Sequence, residues 1–396
     1  MSVDDDGNAR STSPGVLGQA PKSIMVTFVG VHLVNDLYST ILPAFLPAVA
    51  EEFDLNYTEL GVLSFAFILL SGVLQPIIGN TADRLGRRRF VLVTGFAVGA
   101  VGFLAMAIAP TFWFIVAVSL LCGLGAATYH PQANAFIVIA HPKQRGRMLG
   151  IHGWGGSAGH FLAPAVAVLL VAAFDWRIAM ALIALPLLVV AVVLQRRLDE
   201  TTPAPGVTLR GALSRQLVLV AVAFGMVSIV GRSFVTFFVK MLVDEGWTEK
   251  SAGLTLTLIL VGGAVAQPLG GWGFDRIGGR SVFLLSTLAI SACTAVFAIS
   301  SGAVSLVAIA GISFFSFSLF PVGLALASQQ VPSAQTGAAT GVVFGVSGLM
   351  TAAAQPVVGA LGESVGDIRI ALAWLLPVAL LAVMIGSRIS SAPQSR

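Results

Sequence analysis

QPIIGNTADRLGRRR (75–89) recurs without a gap as QPLGGWGFDRIGGRS (267–281), an offset of 192 positions, 267 minus 75. Gln75 matches Gln267, Pro76 Pro268, Gly79 Gly271, Asp83 Asp275, Arg84 Arg276, Gly86 Gly278 and Arg88 Arg280. Each copy closes an apolar run long enough to cross a bilayer. The chain therefore reads as one unit written twice in the same direction, and two parallel halves with a site between them are one known way to build a transporter. Between the halves lies QRRLDETTPAPGVTLRGALSRQ (195–216), the longest polar interval, whose charges and Pro/Gly breakers mark a linker.

Outward from the repeat, apolar runs follow one another almost without pause. With 56% hydrophobic and 10% charged residues in 396, and a mean hydropathy of +0.92, the chain lies outside the soluble class. The spans read as 23–50, 58–80, 89–109, 111–140, 146–172, 177–195, 215–243, 248–272, 280–299, 303–330, 334–362 and 367–388. The runs lack the alternation of barrel strands, so backbone hydrogen bonds can be met in lipid only by helices. The expected fold is an all-α polytopic membrane protein, with twelve transmembrane helices in two pseudo-symmetric six-helix bundles. Its expected parts are a disordered cytoplasmic tail (1–22), a first bundle (23–195), a cytoplasmic linker (196–214), a second bundle (215–388) and a short tail (389–396). Residues 1–22 lack the basic start and early apolar core of a cleavable signal, so the first span would serve as the insertion signal.

Charge supplies orientation. Of the 22 Lys and Arg, only Arg177, Lys240, Lys250 and Arg369 fall in the connections of one side and Arg232 within a span; the rest share the other side. The positive-inside rule then puts both termini in the cytoplasm, here of a bacterial inner membrane. The net charge of +4 is spread over alternate connections instead of one patch, so nucleic acid is not an expected partner. The expected partners are a small-molecule substrate, protons and membrane lipid, for a chain acting as a monomer. Cys122 and Cys293 sit in apolar spans without metal or redox spacing and read as small buried hydrophobes.

Among 18 acids, Asp36 alone has no nearby connection to explain it. At that depth a charge is costly, and an intramembrane carboxylate is a functional-site hypothesis by default. His32, Asn35, Asp36 and Ser39 form one helical stripe, which should face a cavity. Asp36 with His32 is the candidate proton-coupling pair, since a buried acid beside an imidazole can load and release a proton. A structural Asp satisfied by interhelix hydrogen bonds is the alternative. Arg232, in the positional counterpart of the first span, shares a stripe with Ser228 and Thr236 and presents a planar fork suited to an oxyanion. It could hold an anionic substrate or pair with Asp36. Further substrate-path candidates are Asn35, Tyr38, Tyr129, His130, Gln132, Asn134, His152, Trp154, His160, Thr236 and Gln355, with Gln267 and Ser316 weaker. The histidines of the fourth and fifth spans invite a metal, yet no His-x-x-x-His or Glu-x-x-His pattern occurs there, and neither metal nor cofactor is expected. The glycines of the fifth span, Gly150, Gly153, Gly155, Gly156 and Gly159, should let it pack closely or bend.

GNTADRLGRRRF (79–90), placed after the second span with a degenerate copy after the eighth, resembles the loop signature of the major facilitator superfamily. That resemblance spans all twelve helices and implies alternating access. It casts Gly79, Asp83, Arg84, Gly86, Arg87 and Arg88, with Asp275, Arg276 and Gly278, as a conformational gate in which Asp83 could cap a neighbouring helix. HLVND (32–36), GLGAATYHPQ (123–132) and GGSAGHFLAP (155–164) are similar to segments of its fosmidomycin-resistance branch, which implies proton-driven export of a small phosphonate. Two departures from drug antiporters stand out: Ser119 falls where their fourth-span arginine would lie, and Gly159 to Pro164 depart from their fifth-span motif. No G-x-x-x-x-G-K-[ST] is present, so no nucleotide-driven pump is indicated. The expected activity is not enzymatic: it is proton-coupled export of a small polar or anionic compound. Proton symport of an organic anion is the alternative, and a histidine-based membrane enzyme or metal protein is the rival of a different class.

Overall fold

The computed structural model describes residues 21–140, 145–203, 214–331 and 336–390. All regular elements in it are helices, and 12 spans are long and apolar enough to cross a membrane. In the first half these are α1 (Pro21–Thr40) with α2 (Leu42–Phe53), α3 (Tyr57–Val73) with α4 (Gln75–Leu85), α5 (Arg88–Ala107), α6 (Phe112–Ala127) with α7 (Tyr129–Ala140), α8 (Arg145–Ala173) and α9 (Trp176–Arg197). In the second half they are α10 (Arg215–Asp244), α11 (Glu249–Ile277), α12 (Gly279–Ile299), α13 (Gly302–Gln329), α14 (Thr336–Val365), and α15 (Ile368–Ala373) with α16 (Leu376–Gly386). Proline explains the paired helices. Pro43, Pro76, Pro131 and Pro377 each stand in the first turn of the second piece, where a missing N–H and a ring clash interrupt the ladder behind them.

The packing pattern repeats as the sequence does. Span 1 packs on span 5, span 2 on span 4 and span 3 on span 6; span 7 likewise packs on 11, 8 on 10 and 9 on 12. The halves meet through α3 against α14 and α8 against α11, themselves a symmetric pair. The α3–α14 contact is smooth: a Cβ on Gly72 would stand 2.9 Å from Gly348 Cα, and one on Gly61 2.5 Å from the Gln355 carbonyl oxygen. Small residues of this kind let helix backbones approach where no hydrophobic effect drives them together.

The layer has two ends, one carrying Tyr57 and the other Asp83. At the Tyr57 end a second repeat appears, with the same offset of 192: Asp175, Arg177, Ile178 and Ala179 match Asp367, Arg369, Ile370 and Ala371. Asp175 and Asp367 each accept the backbone N–H of the arginine two residues on, at 2.7 Å in both. Arg177 reaches Glu52 at 2.5 Å and the Ala107 carbonyl at 3.2 Å; Arg369 reaches Glu245 at 2.7 Å and the Ser300 carbonyl at 3.0 Å. Each half is thus braced internally by its own arginine.

Bonds from α3 cross between the halves at that end. The Tyr57 hydroxyl donates to Asp244 Oδ2 at 2.6 Å, and the Tyr57 backbone N–H donates to Glu363 Oε1 at 2.6 Å. Lys240 completes the cluster, 2.5 Å from Asp244 Oδ1 and over the Tyr57 ring.

At the Asp83 end, the second and eighth spans run on to Leu85 and Ile277. Asp83, Arg84, Asp275 and Arg276 therefore lie in the last turns of helices, not in loops, and Gly86 and Gly278 end those helices at φ 64° and 83°. Most of the linker (204–213), residues 1–20 and residues 391–396 lie outside the described residues.

Candidate functional site

Pro43 ends α1 just beyond Thr40, which leaves Asp36 in the last full turn of a helix buried between α7 and α8. Glycine brings α8 against it. A Cβ on Gly156 would stand 2.5 Å from both Asp36 Oδ2 and His32 Nε2, and one on Gly159 3.0 Å from Asp36 Cβ. The predicted close packing of the fifth span runs along α1, since a Cβ on Gly155 would also meet the Val29 carbonyl and one on Gly159 the Leu33 carbonyl. Gly153, by contrast, has nothing within 4 Å of a built Cβ and faces open space.

Asp36 is only 5% exposed, and its two oxygens are divided among four side chains. Oδ1 accepts from Asn35 Nδ2 at 2.8 Å and lies 3.7 Å from His130 Nε2. Oδ2 lies 3.1 Å from His160 Nδ1 and 3.2 Å from His32 Nε2. The His32 approach is off-axis, a charge contact more than an aligned hydrogen bond. The neighbouring shell holds the rings in place. His32 stacks on His152 with centroids 4.1 Å apart and packs against Tyr129, whose hydroxyl donates to the Phe28 carbonyl at 3.2 Å. Four of the five histidines in the chain thus gather about one carboxylate.

These groups line one wall of a cavity of about 510 Å³ between the halves. Arg232, Ser228, Gln267, Phe317 and Phe320 line the other wall. The lining reaches Asn134, Leu149, Leu324 and Thr340 toward the Asp83 end, while the Tyr57–Asp244 and Tyr57–Glu363 bonds close the opposite end. Asp36 and Arg232 share this cavity without forming an ion pair, and Arg232 Nε is buried with no hydrogen-bond partner among the described residues.

His32, Asn35, Asp36, His130, Asn134, His152, His160 and Arg232 are thus brought together as the sequence indicated. Six expected path residues are not part of the cavity wall. Trp154 is 72% exposed on the far side of α8, and Tyr38 is buried between Phe96 and Phe103 behind Asp36. Gln132 turns away to accept from Arg88 at 3.3 Å, and Tyr129 stands behind His32. Thr236 and Gln355 lie one turn beyond Arg232 and Thr351, packed into the closed end.

Spacing within single helices indicates no metal site, but a trio assembled from two helices, α1 and α7, comes together in the fold. Ligand atoms of His32, Asp36 and His130 lie within 4.8 Å of one another, close enough to share one cation. The weaker candidates Gln267 and Ser316 do face cavity space.

The repeated turn is also rearranged from expectation. Asp83 pairs with Arg88 of its own turn, and the acid that caps a neighbouring helix is Glu200, which takes the N–H of Arg89 and of Phe90 at 3.0 Å each. The start of the linker is tied down here, with the Thr201 N–H on the Gly86 carbonyl at 3.1 Å and Arg89 on the Leu198 carbonyl at 3.2 Å. Arg84 and Arg87 are exposed, as are Asp275 and Arg276 in the second copy. There Arg280 bonds the Ser387 carbonyl and makes no ion pair with Asp275 among the described residues.

The sequence model of the Major Facilitator Superfamily matches residues 28–352 and 221–395. An uncharacterized MFS-type transporter, YfnC of Bacillus subtilis, is 26% identical over 92% of this chain and 93% of its own length. The fosmidomycin resistance protein of Escherichia coli is 26% identical over 89% of this chain and 87% of its own. Among solved structures, a bacterial homolog of the human lysosomal transporter Spinster, inward-facing and occupied, superposes with a TM-score of 0.80 at 14% identity, covering 94% of this chain and 98% of that one.

Proposed function

The chain belongs to the Major Facilitator Superfamily, and from that premise we propose that it is a proton-coupled secondary transporter that exports a small polar or anionic compound by alternating access. The observation that carries this reading is Asp36, a buried carboxylate between histidines on the wall of a cavity closed at one end. An ionised Asp36 can accept a hydroxyl or N–H of the substrate; a proton on the same carboxylate removes its charge and turns one acceptor oxygen into a donor, which weakens that hold. Proton and substrate then compete for one group, which is the requirement for exchange. Arg232 on the facing wall is free to take an oxyanion at the other end of the molecule. With the Asp83 end in the cytoplasm, as the distribution of Lys and Arg favours, the cavity faces inward. The Asp83–Arg88 pair and the capped turn at Gly86 act as the gate at that end, and the two halves, 23–195 and 215–388, rock about the cavity.

Two other readings draw on the same atoms. Protonating Asp36 leaves Arg232 as the main charge in the cavity, which would also favour co-loading of an anion and a proton, as in an uptake symporter. A divalent cation at His32, Asp36 and His130 would make the cluster a metal site. Vesicles of both orientations with an imposed pH gradient separate the first pair, with fosmidomycin as the initial probe. Export predicts proton-driven accumulation in inside-out vesicles, and symport predicts it in right-side-out ones. Flux that ignores the pH gradient in both orientations would overturn proton coupling. Stoichiometric transition metal in the purified protein would favour the metal reading.

A further inference from the structure

Most hydroxyls inside the helices of the second half are spent on their own backbone. Ser228, Thr287, Ser291 and Thr294 donate to the carbonyl four residues back at 2.8–2.9 Å, and Ser318 donates three residues back at 2.7 Å. Ser313 and Ser316 do not. Like those of Thr236, Thr257 and Thr351, their Oγ atoms are buried with no hydrogen-bond partner among the described residues, and Ser313 as a residue is 5% exposed. Being three apart on α13, they share a helix face. That face looks across to α10, where Gly231 makes room: a Cβ there would stand 2.9 Å from Ser316 Oγ. Beside Gly231 is Arg232, whose Nε is the third unpartnered donor.

The three residues line one side chamber of about 220 Å³ that opens off the main cavity, with the three donor atoms just beneath its surface. Its other walls are apolar, chiefly Phe224, Phe317, Phe320 and Leu260, and no acid lines it. His160, which touches both the Phe317 ring and Asp36, stands at its mouth. A guanidinium and two hydroxyls with unspent donors, in apolar surroundings without a counter-ion, form an incomplete electrostatic arrangement that an oxyanion completes.

We propose that this chamber between α10 and α13 is an oxyanion subsite. It takes the phosphonate, phosphate or carboxylate group of a small organic anion on Arg232, Ser313 and Ser316, with a short apolar or aromatic stem against Phe224, Phe317 and Phe320. This deepens the functional reading and rests on the cavity being the substrate site. It narrows the substrate from polar or anionic to anionic with an apolar neighbour to the charge. A chamber of this size holds the charged end of such a molecule while the remainder extends past His160 toward Asp36.

The test is titration calorimetry on the full chain in nanodiscs of zwitterionic lipid, with phenylphosphonate as ligand and benzyl alcohol as its neutral counterpart. Phenylphosphonate should bind saturably and benzyl alcohol should not. Arg232→Gln should weaken binding about tenfold or more, and the Ser313→Ala/Ser316→Ala pair several-fold, as loss of charge-assisted hydrogen bonds does. Arg232→Lys serves if the glutamine variant does not fold, and should weaken phenylphosphonate through loss of the planar fork. Equal binding of the neutral compound, or phenylphosphonate affinity unchanged in the arginine and serine variants, would overturn the subsite. Loss of phenylphosphonate binding when phosphatidic acid replaces part of the lipid would assign the site to a headgroup and overturn a soluble ligand. Failure here is distinct from failure of the transport reading: proton-driven flux of an uncharged compound that needs Asp36 but not Arg232 would sink the subsite and leave the transporter standing.

Discussion

His32 donates its Nδ1–H to the carbonyl oxygen of His152 at 2.8 Å, and that bond decides which ring nitrogen faces Asp36. A carbonyl can only accept, so Nδ1 carries a hydrogen and Nε2 is the atom 3.2 Å from Asp36 Oδ2. Two lone pairs do not rest against each other at that separation in a buried site; one proton must sit on Nε2 or on the carboxyl. The backbone of α8 therefore fixes the ring with Nε2 toward the carboxylate, in the way a carbonyl orients a functional histidine elsewhere, and this is the geometry that the proposed proton coupling would use. His160 differs: its Nδ1 lies 3.1 Å from both the Gly156 carbonyl oxygen and Asp36 Oδ2, and since both are acceptors that nitrogen carries the hydrogen and shares it between them.

Replacing Asp36 with Asn keeps the shape and removes the proton site. Accumulation of a transported compound driven by a pH gradient in proteoliposomes should fall to the level of protein-free vesicles, while exchange of labelled for unlabelled compound continues. Gradient-driven accumulation at the parental rate would show that the proton is carried elsewhere.

Gly156→Ala drives a methyl against Asp36 Oδ2 and His32 Nε2. Overpacking of this kind costs about 1–3 kcal/mol, so the variant should unfold earlier on heating in detergent and lose proton-driven flux with it. Gly262→Ala, whose Cβ meets nothing within 4 Å, is the matched control and should melt no lower than the parent. Equal effects of the two would mean that the α1–α8 approach is not tight.

The closed end rests on few bonds between the halves. Tyr57→Phe removes the hydroxyl bonded to Asp244, a contact to a charged group that carries about 1.5–3 kcal/mol. Spin labels placed across the Tyr57 end should show longer separations in this variant, as the population moves about tenfold or more toward opening there. An unchanged distance distribution would mean that the hydroxyl does not hold the end shut.

Arg177 and Arg369 occupy equivalent places in separate halves. Arg177→Gln and Arg369→Gln should each destabilise the fold by about 1 kcal/mol or somewhat more, given partial exposure and ring contacts, which thermal melting reads as a lower transition temperature, and the double variant should show the sum. Strong non-additivity would reveal coupling between the halves at that end.

Much of this was legible in the chain. The repeat at 75–89 and 267–281 carried the two-fold architecture, because a motif spaced by half a protein can only come from halves of like topology. Asp36 was legible because lipid leaves a charge no neutral explanation. Trp154 and Tyr38, by contrast, stand outside the cavity wall although each is close in sequence to residues that line it. Helical geometry turns about 100° per residue, so Trp154 points well away from the Gly153, Ser157 and His160 face, and Tyr38 nearly opposite Asp36. The convergence of His130 and His160 on Asp36 was out of reach, since it depends on how three spans are rotated. The Arg177 and Arg369 repeat stood in the sequence at the same offset as the first and was overlooked, because charges beside span ends were counted for topology and not compared with each other.

The glycine contact of α3 with α14 has a mechanical meaning. Where Gly72 lies against Gly348 and Gly61 against the Gln355 carbonyl, backbone meets backbone with no side chain between. Ridges seated in grooves resist turning, so these bare points are where α3 and α14 can rotate with the least repacking once the Tyr57–Glu363 bond at the end of the seam is released. If the halves rock as proposed, the seam is their bearing, and a larger residue at Gly72 would seize the swing before it unfolded the protein.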